Sequence, residues 1–286
     1  MNAAGKSIDK TFLSLENAAE RGFIHRDYIA HVLRWSHIAK WLSESKRYDK
    51  VRILDVGCGR ELPLPMMLYS MKMFPPSYYG VDYGPVNDDA YEKLTKTGKC
   101  NANIFENTDI CNITLDDLDG KPVDVVTCFE MLEHIEPAHV IRVLNRLKTL
   151  MTPHATAFFS TPCWNRTDCA ANHVNEMLFP VLGAVFEAAG WTVLGTWGTF
   201  ASIRDYESIL QKNHPDWYRL FNMLREYYDT NFLSCIFAPV FPAQSRNALW
   251  QVCPKPVEQN QFQVLEKIPT PWSSSERWKE FASTLI

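Results

Sequence analysis

The segment Glu130-Met-Leu-Glu-His134 brings two carboxylates and an imidazole together in five consecutive residues. On a helical turn, side chains three and four positions apart share a face, so Glu130, Glu133 and His134 are predicted to point the same way. Carboxylates and imidazoles are common metal ligands, and this face predicts half of a site for a divalent ion such as Mg²⁺. The same residues also allow metal-free chemistry, in which a neutral His134 accepts a proton near neutral pH. Both interpretations stay open at this point.

A second segment, Val51–Gly59, has the pattern of a strand that ends at a ligand. Its apolar residues predict a buried strand, and Gly57 and Gly59 allow a tight turn whose backbone approaches a ligand that a Cβ would block. Asp82 ends the next predicted strand, at the spacing from which an acid accepts both hydroxyls of a ribose. The pattern therefore predicts a nucleoside bound across a strand–turn–helix crevice.

The residues around this turn separate two classes of cofactor. A dinucleotide site needs a third glycine and a helix N-terminus without nearby acids, because a pyrophosphate binds there. Here Arg60, Glu61 and Leu62 follow Gly59 instead. The acidic side chains of Asp55 and Glu61 favour a ligand with a cationic part. S-adenosylmethionine (SAM), which carries a sulfonium and an ammonium group, meets this requirement better than a dinucleotide does.

The sequences ILDVGCG at 53–59 and YGVD at 79–82 resemble the first two motifs of class I SAM-dependent methyltransferases. The resemblance continues through NTDI at 107–110 and VDVVTCFE at 123–130. It implies that Asp55, Gly57 and Gly59 hold the methionine end of SAM and that Asp82 holds the ribose. It also implies that Asp109 and Ile110 meet the adenine. The residues expected to bind the cofactor are Asp55, Gly57, Cys58, Gly59, Asp82, Tyr83, Asp109, Ile110, Phe129 and Glu130.

The Glu130–His134 segment is similar to the E-x-x-E-H sequence of two relatives in that family. One is the O-methyltransferase of ubiquinone biosynthesis, and the other is the 2′-O-methyltransferase that modifies the 3′ ends of small RNAs. In the RNA enzyme a histidine after the next strand is the fourth metal ligand, and His173 is the candidate for it here. The resemblance thus implies a metal set of Glu130, Glu133, His134 and His173, with Glu133 and His134 as the catalytic residues. Many other relatives carry the same motif without a metal.

Trp164, Asn165 and Arg166 follow the fifth predicted strand, at the edge where the active site is expected. Their side chains can stack on a flat substrate and form hydrogen bonds with it, so they are predicted to bind the methyl acceptor. A loop tryptophan that only anchors the neighbouring segment is an equally open interpretation.

Before the first strand, apolar residues recur at helical spacing and alternate with basic ones. Most of this apolar stripe is expected to pack on the sheet. Arg26, Tyr28 and Arg34 are candidates for contacts with the methionine carboxylate or the substrate. His139, beyond the Glu130–His134 segment, is expected to face solvent.

Predicted strands and helices alternate from Val51 onward, which is typical of a parallel sheet covered by helices on both faces. We predict an α/β, Rossmann-like, seven-stranded and mostly parallel sheet, with N-terminal helices and an insertion of two helices before the last strand. The predicted organisation is an N-terminal helical segment (1–46), a SAM-binding core (47–201), a cap-like helical insertion (202–246), the last core strand (247–253) and a C-terminal tail (254–286).

The composition disfavours several classes of protein. The net charge is −4, so the strongly basic surface of a protein that binds long duplex DNA is not expected. The eight cysteines form no C-x-x-C pair, which predicts reduced thiols and a cytoplasmic protein. No apolar stretch reaches the ~18 residues of a membrane-spanning helix. No signal peptide is expected at the N-terminus either.

The sequence therefore predicts a methyltransferase that moves the SAM methyl group to an oxygen or nitrogen of a small molecule or nucleotide. The resemblance of the Glu130–His134 segment favours oxygen. One alternative is methylation of an RNA or DNA end or base, and another is a SAM-binding regulatory protein without transfer activity. The basic residues proposed for nucleic-acid binding are Arg166, Arg204, Arg219 and Arg225. Neither the identity of the acceptor nor the oligomeric state follows from the sequence.

Overall fold

The computed structural model describes residues 26–45, 47–96, 98–164 and 172–254. The predictions made for residues 1–25 and for the tail from 255 onward lie outside the described residues. The same holds for Asn165 and Arg166, and for the side chains of Arg26 and Tyr28.

A seven-stranded sheet forms the centre of the described chain. Its strands are β1 (Arg52–Val56), β2 (Ser77–Val81), β3 (Asn101–Phe105), β4 (Val123–Phe129), β5 (Met151–Pro162), β6 (Thr192–Phe200) and β7 (Asn247–Cys253). They lie in the order β3-β2-β1-β4-β5-β7-β6, and β7 runs antiparallel to both of its neighbours. The predicted Rossmann-like, mostly parallel sheet of seven strands is therefore confirmed.

Eight α-helices surround the sheet in the described residues. They are α1 (Arg26–Glu44), α2 (Pro63–Ser70), α3 (Asp88–Thr95), α4 (Pro137–Leu150), α5 (Phe179–Ala188), α6 (Ile203–Asn213), α7 (Pro215–Leu224) and α8 (Thr230–Phe237). The helix predicted over 175–189 starts only at Phe179, where a proline fits the first turn because its missing N–H has no partner there. Among the described residues, no helix combines the length and apolar character that crossing a bilayer requires.

Adjacent residues of the central strands contribute to two different hydrophobic cores. Side chains alternate between the faces of a strand, so a strand buried on both faces is apolar throughout. Helices α1, α2 and α3 cover one face, and α4 and α5 cover the other. The residues facing α1–α3 include Ile53, Tyr78, Val125 and Phe158, and those facing α4 and α5 include Leu54, Tyr79, Val126 and Phe159.

The chain between β6 and β7 forms three helices, where the sequence predicted two. The side chains and backbones of Ser202 and Asp205 form a reciprocal capping box that starts α6. Pro215 then starts a separate helix directly after α6 ends, because proline is tolerated in the first turn but not inside a helix. The end of this segment packs tightly on β6, since a Cβ on Gly198 would lie 2.3 Å from the carbonyl oxygen of Ala238.

Helix α1 packs an imidazole between the helix and the sheet. The ring of His37 lies 4.2 Å from the ring of Trp197 on β6, measured between centroids, and also contacts Phe158 on β5. Burial lowers the pKa of His37, the charge of Lys40 lowers it further, and Glu44 partly opposes the shift. The folded state therefore disfavours the protonated ring.

We expect His37→Gln to reduce the dependence of stability on pH. In the unfolded chain His37 binds a proton as the pH falls below its ordinary pKa of 6.5, whereas the folded chain resists this protonation. The stability that is present above pH 6.5 is therefore lost as the pH falls from 6.5 through the lowered pKa of the folded state. Urea denaturation at about pH 7.5 and about pH 5.5 measures this loss for the wild type and the variant. His154→Gln, at an exposed position of β5, is the control and should keep the wild-type dependence. Equal losses in all three proteins would contradict the assignment.

Candidate active site

The turn after β1 is the first component of the site, and its backbone requires glycine. Gly57 has φ of 71° and Gly59 has φ of 74°, a region that residues with a Cβ rarely adopt. The N–H of Gly57 donates to the carbonyl oxygen of Val81, so the turn is fixed against the end of β2. Cys58, between the glycines, is buried in the core, and only its backbone lies along the turn.

Asp82 lies beside this turn, directly after β2. Its Oδ2 accepts a hydrogen bond of 2.9 Å from the N–H of Gly59, and its Oδ1 accepts one of 2.8 Å from the N–H of Gly84. A carboxylate has about four acceptor positions, so two donors leave capacity for further hydroxyl donors. The sequence placed Asp82 near the glycine turn, and the structure brings the two into direct contact.

Asp55 lies below the turn and is 4% exposed. Its Oδ1 accepts from the hydroxyl of Thr127 at 2.6 Å, and its Oδ2 accepts from the hydroxyl of Tyr78 at 2.7 Å. Burial and the neighbouring Asp55 carboxylate raise the pKa of Tyr78 well above its usual range, so the phenol remains a donor. Asp55 therefore connects β1 with β2 and β4.

Asp109 and Tyr83 form a second group at the same edge of the sheet. Asp109 caps a short 3₁₀ helix, Ile110–Asn112, by accepting from the N–H of Cys111 at 2.8 Å. Burial and the hydrogen bond to Asp109 raise the pKa of Tyr83 to about 12. The prediction that His139 faces solvent is wrong, because its Nε2 lies 3.1 Å from Oδ2 of Asp109.

Glu130 does not belong to a helical turn, and the predicted common face with Glu133 and His134 is wrong. Its φ is 53°, and a 3₁₀ helix covers only Leu132–His134. The left-handed backbone directly after β4 turns the Glu130 carboxylate towards β5, β7 and α1. There Glu130 accepts hydrogen bonds from three side chains. The donors are Nη1 of Arg34 at 3.0 Å, Oγ of Ser160 at 2.9 Å, and Nδ2 of Asn247 at 3.0 and 2.9 Å from the two carboxylate oxygens.

Arg34 is a buried structural partner of Glu130. Its side chain is 1% exposed, and Nη1 also donates to Oδ1 of Asn247 at 3.3 Å. Its Nη2 contacts Nδ1 of His31. These contacts use the guanidinium inside the protein, in place of the predicted contact with the methionine carboxylate or the substrate.

Glu133, His134 and His173 form a cluster whose ligand atoms lie within 4.8 Å of one another. Glu133 is buried and accepts from the hydroxyl of Thr161 at 3.0 Å. Burial, followed by the charge of Glu130, raises the pKa of Glu133 well above its usual range. Nε2 of His134 lies 3.8 Å from Oε1 of Glu133.

Both histidines of this cluster have a partner at Nδ1. Nδ1 of His134 lies 3.1 Å from the carbonyl oxygen of Asn172, and Nδ1 of His173 lies 2.5 Å from Oε1 of Glu176. A neutral ring that donates from Nδ1 carries its lone pair on Nε2. Burial lowers the pKa of His134 and the nearby His173 adds to this, while the bond to Asn172 opposes it. These contacts favour a neutral His134 with its lone pair on Nε2.

Two backbone hydrogen bonds connect His173 to this cluster. The N–H groups of Val174 and Asn175 both donate to the carbonyl oxygen of Glu133, at 2.8 and 3.1 Å. The segment before α5 is thereby fixed against the 3₁₀ helix. Glu176 was not among the predicted site residues, although its position three residues after His173 was a visible signal.

Trp164 lies at the end of β5, half-buried against the core behind this cluster. Its N–H donates to the carbonyl oxygen of Met177 at 3.0 Å. Of the arginines proposed for nucleic-acid binding, Arg219 is paired with Asp216 on the surface of α7, at 3.4 Å.

Residues 21–213, more than half of the chain, match the family model described as a methyltransferase domain. The chain belongs to the class I SAM-dependent methyltransferase family. This methyltransferase domain is similar to the ubiquinone biosynthesis O-methyltransferase of Paraburkholderia phymatum, with 30% identity over 150 residues that cover 52% of this chain and 57% of the relative. The enzyme of the same description from Pseudomonas syringae pv. tomato is also 30% identical, covering 51% of this chain and 56% of its own.

The methyltransferase domain spans a little over half the length of these curated relatives. Its fold is similar to that of magnesium protoporphyrin IX methyltransferase from Synechocystis PCC 6803, solved with bound S-adenosylhomocysteine. The TM-score is 0.51 at 11% identity, and the match covers 86% of this chain and 97% of that one. At this identity the likeness establishes the fold.

Proposed function

We propose that this chain transfers the methyl group of SAM to an oxygen or nitrogen of a small molecule or nucleotide. The observation that carries the proposal is the proximity of two parts at one edge of the sheet. One part is the glycine turn with Asp82, and the other is the cluster of Glu133, His134 and His173 after β4. When bound, SAM supplies an activated methyl group for an in-line displacement.

The residues at this edge fit the successive parts of SAM. The left-handed backbone of Gly57 and Gly59 forms the turn that is proposed to hold the methionine end. Asp82 has acceptor capacity for the ribose hydroxyls, and Asp109 with the buried Ile110 fits the adenine. Phe129, Glu130 and Tyr83 complete the proposed pocket, while Asp55 and Cys58 support it from below.

We assign the general base to His134. It is the most exposed member of its cluster, with 38% of its side chain accessible, and it is neutral with its lone pair on Nε2. A base in this state removes the proton of a hydroxyl or amine as the methyl group is transferred. Oε1 of Glu133, 3.8 Å from the same nitrogen, stabilises the protonated ring when this carboxyl group is ionised.

Alternatively, the same cluster holds a divalent metal, in which case Nε2 of His134 is a ligand and not the base. Metal-binding histidines usually donate their other ring N–H to a carbonyl or carboxylate, as His134 and His173 do here. A cation would also compensate the burial of Glu133. The donor set of Glu133, His134 and His173 omits Glu130, and two imidazoles suit Mn²⁺, Fe²⁺ or Zn²⁺ better than Mg²⁺.

An oxygen acceptor is favoured because the two relatives are described as O-methyltransferases. Trp164 is proposed to contact the acceptor, and Asn165 and Arg166 remain predictions. We also propose a cytoplasmic location, in keeping with the lack of disulfides among the described cysteines.

Transfer of a labelled methyl group from SAM tests this function. Fractionated small metabolites, RNA and DNA serve as acceptors, each with and without EDTA. Label in the small-molecule fraction is the expected result, and label only in RNA or DNA would replace the proposed acceptor class. Loss of label with EDTA, restored by Mn²⁺ but not by Mg²⁺, would support the metal. Binding of S-adenosylhomocysteine (SAH) without any transfer would favour a regulatory protein.

Asp82→Ala is expected to weaken SAH binding by about 1–3 kcal/mol, because the ribose hydroxyls lose their acceptor. Calorimetric titration with SAH measures the difference. Asp88→Ala, an exposed acid at the start of α3, is the matched control and should bind as the wild type does. Equal affinity in Asp82→Ala and the control would remove Asp82 from the cofactor site.

A further inference from the structure

His139 and Arg142 lie on the first two turns of α4, next to the proposed adenine position. Nε2 of His139 is 3.1 Å from Oδ2 and 3.4 Å from Oδ1 of Asp109. Nη2 of Arg142 is 2.8 Å from Nδ1 of the same ring. The three side chains thus form a continuous chain of hydrogen bonds from the surface of α4 to the carboxylate.

Arg142 determines which nitrogen of His139 carries the proton. A guanidinium has only N–H donors, so Nδ1 must accept from it. The ring proton then lies on Nε2 and is donated to Asp109. This is the tautomer that a donor to a carboxylate needs.

The same arrangement argues against a metal at this position. Asp109, Cys111 and His139 lie within 4.8 Å of one another, as metal ligands would. However, Nε2 of His139 carries a proton and has no lone pair to offer. At the Glu133 cluster, by contrast, Nδ1 of each histidine contacts a carbonyl or carboxylate oxygen, which puts the lone pair of a neutral ring on Nε2.

Asp109 has one weak donor that an amine could replace. Its carboxylate accepts from the N–H of Cys111, from the hydroxyl of Tyr83, from His139 and from the thiol of Cys111, and the thiol is the weakest of these four donors. Burial opposes the ionisation of Asp109, but its hydrogen bonds lower its pKa overall. The carboxylate is therefore ionised and fixed in rotation, and an amine N–H can take the place of the weak thiol donor.

We propose that His139, with its tautomer set by Arg142, is a positioning residue that orients Asp109 to select an exocyclic amine on the cofactor base. This proposal rests on the proposed function, because the amine is that of the adenine in SAM. A purine that carries a carbonyl oxygen in place of the exocyclic amine would direct a lone pair at the Asp109 carboxylate, so the site would bind it more weakly. The selection depends on the orientation of Asp109, and hence on His139.

Calorimetric titrations with SAH and with S-inosylhomocysteine, in which a carbonyl oxygen replaces the amine, test the proposal. The wild type should bind SAH more tightly. In His139→Leu the ratio of the two affinities should fall about tenfold, through weaker binding of SAH. His139→Gln keeps an N–H donor and should recover part of the ratio. Arg142→Leu frees the ring to change its tautomer and should lower the ratio to an intermediate degree.

Two results would overturn the proposal. One is a folded His139→Leu protein that keeps the wild-type ratio of affinities for the two ligands, because an equal loss of both affinities is what a merely structural residue would cause. The other is a wild-type ratio of affinities in Arg142→Leu, which decides the matter if His139→Leu does not fold. His154→Leu, at an exposed position near the start of β5, is the control. A wild-type protein that binds neither ligand would instead refute the proposed function itself.

Discussion

Replacing His134 with alanine is expected to slow methyl transfer by about 10²–10⁴-fold, the usual contribution of a positioned general base. Affinity for SAH should change little, because His134 lies on the acceptor side of the proposed cofactor pocket. Initial rates with saturating SAM, together with calorimetric titration with SAH, separate the two effects. Any lost rate that reappears on adding imidazole identifies the missing group as a base.

The matched control for this experiment is His154→Ala. His154 is an exposed histidine near the start of β5, at the opposite end of the strand from the site. The His154→Ala variant should leave the rate of methyl transfer unchanged. Wild-type turnover in His134→Ala would remove this residue from the chemistry, and a parallel loss of SAH binding would assign it to the cofactor pocket.

Arg34→Met is expected to lower the free energy of unfolding by about 3 kcal/mol, because it leaves the Glu130 carboxylate without its cation. Methionine keeps much of the aliphatic volume, so the change isolates the guanidinium. The expected loss lies at the lower end for such pairs, since the Glu130 side chain is 24% exposed. Urea denaturation measures the difference.

Lys40→Met on the same helix is the control. Lys40 is paired with Glu44, but both side chains are exposed, and such a pair contributes about 0–1 kcal/mol. Combining Arg34→Met with Glu130→Gln removes both charges and should recover part of the lost stability. Equal losses in Arg34→Met and Lys40→Met would show that the buried pair has no special role.

The sequence predicted the sheet well because its signals are local. Apolar runs such as Val51–Val56 and Val123–Phe129 are buried on both faces whatever follows them, and Gly57 and Gly59 restrict the turn by themselves. The proximity of Asp82 to that turn follows from the spacing of a strand–turn–helix unit. These features need no knowledge of distant residues.

The failures concern residues whose environment comes from distant parts of the chain. Glu130 was assigned to a helical face, but its partners Arg34 and Asn247 are 96 and 117 residues away in sequence. No periodicity reveals such contacts or the left-handed backbone that turns the Glu130 carboxylate towards them. His139 was assigned to solvent for the same reason, since its contact with Asp109 exists only once α4 packs beside the sheet.

The position of β7 has a consequence for how the protein emerges from the ribosome. β7 lies between β5 and β6, although it follows both of them in the chain. Until Cys253 has been synthesised and released from the exit tunnel, β6 has no partner in the sheet and β5 presents an open edge. Asn247, which contacts Glu130, arrives with the same strand. The nascent chain therefore completes its sheet and its active-site edge in one late step, and it exposes apolar strand edges to chaperones until then.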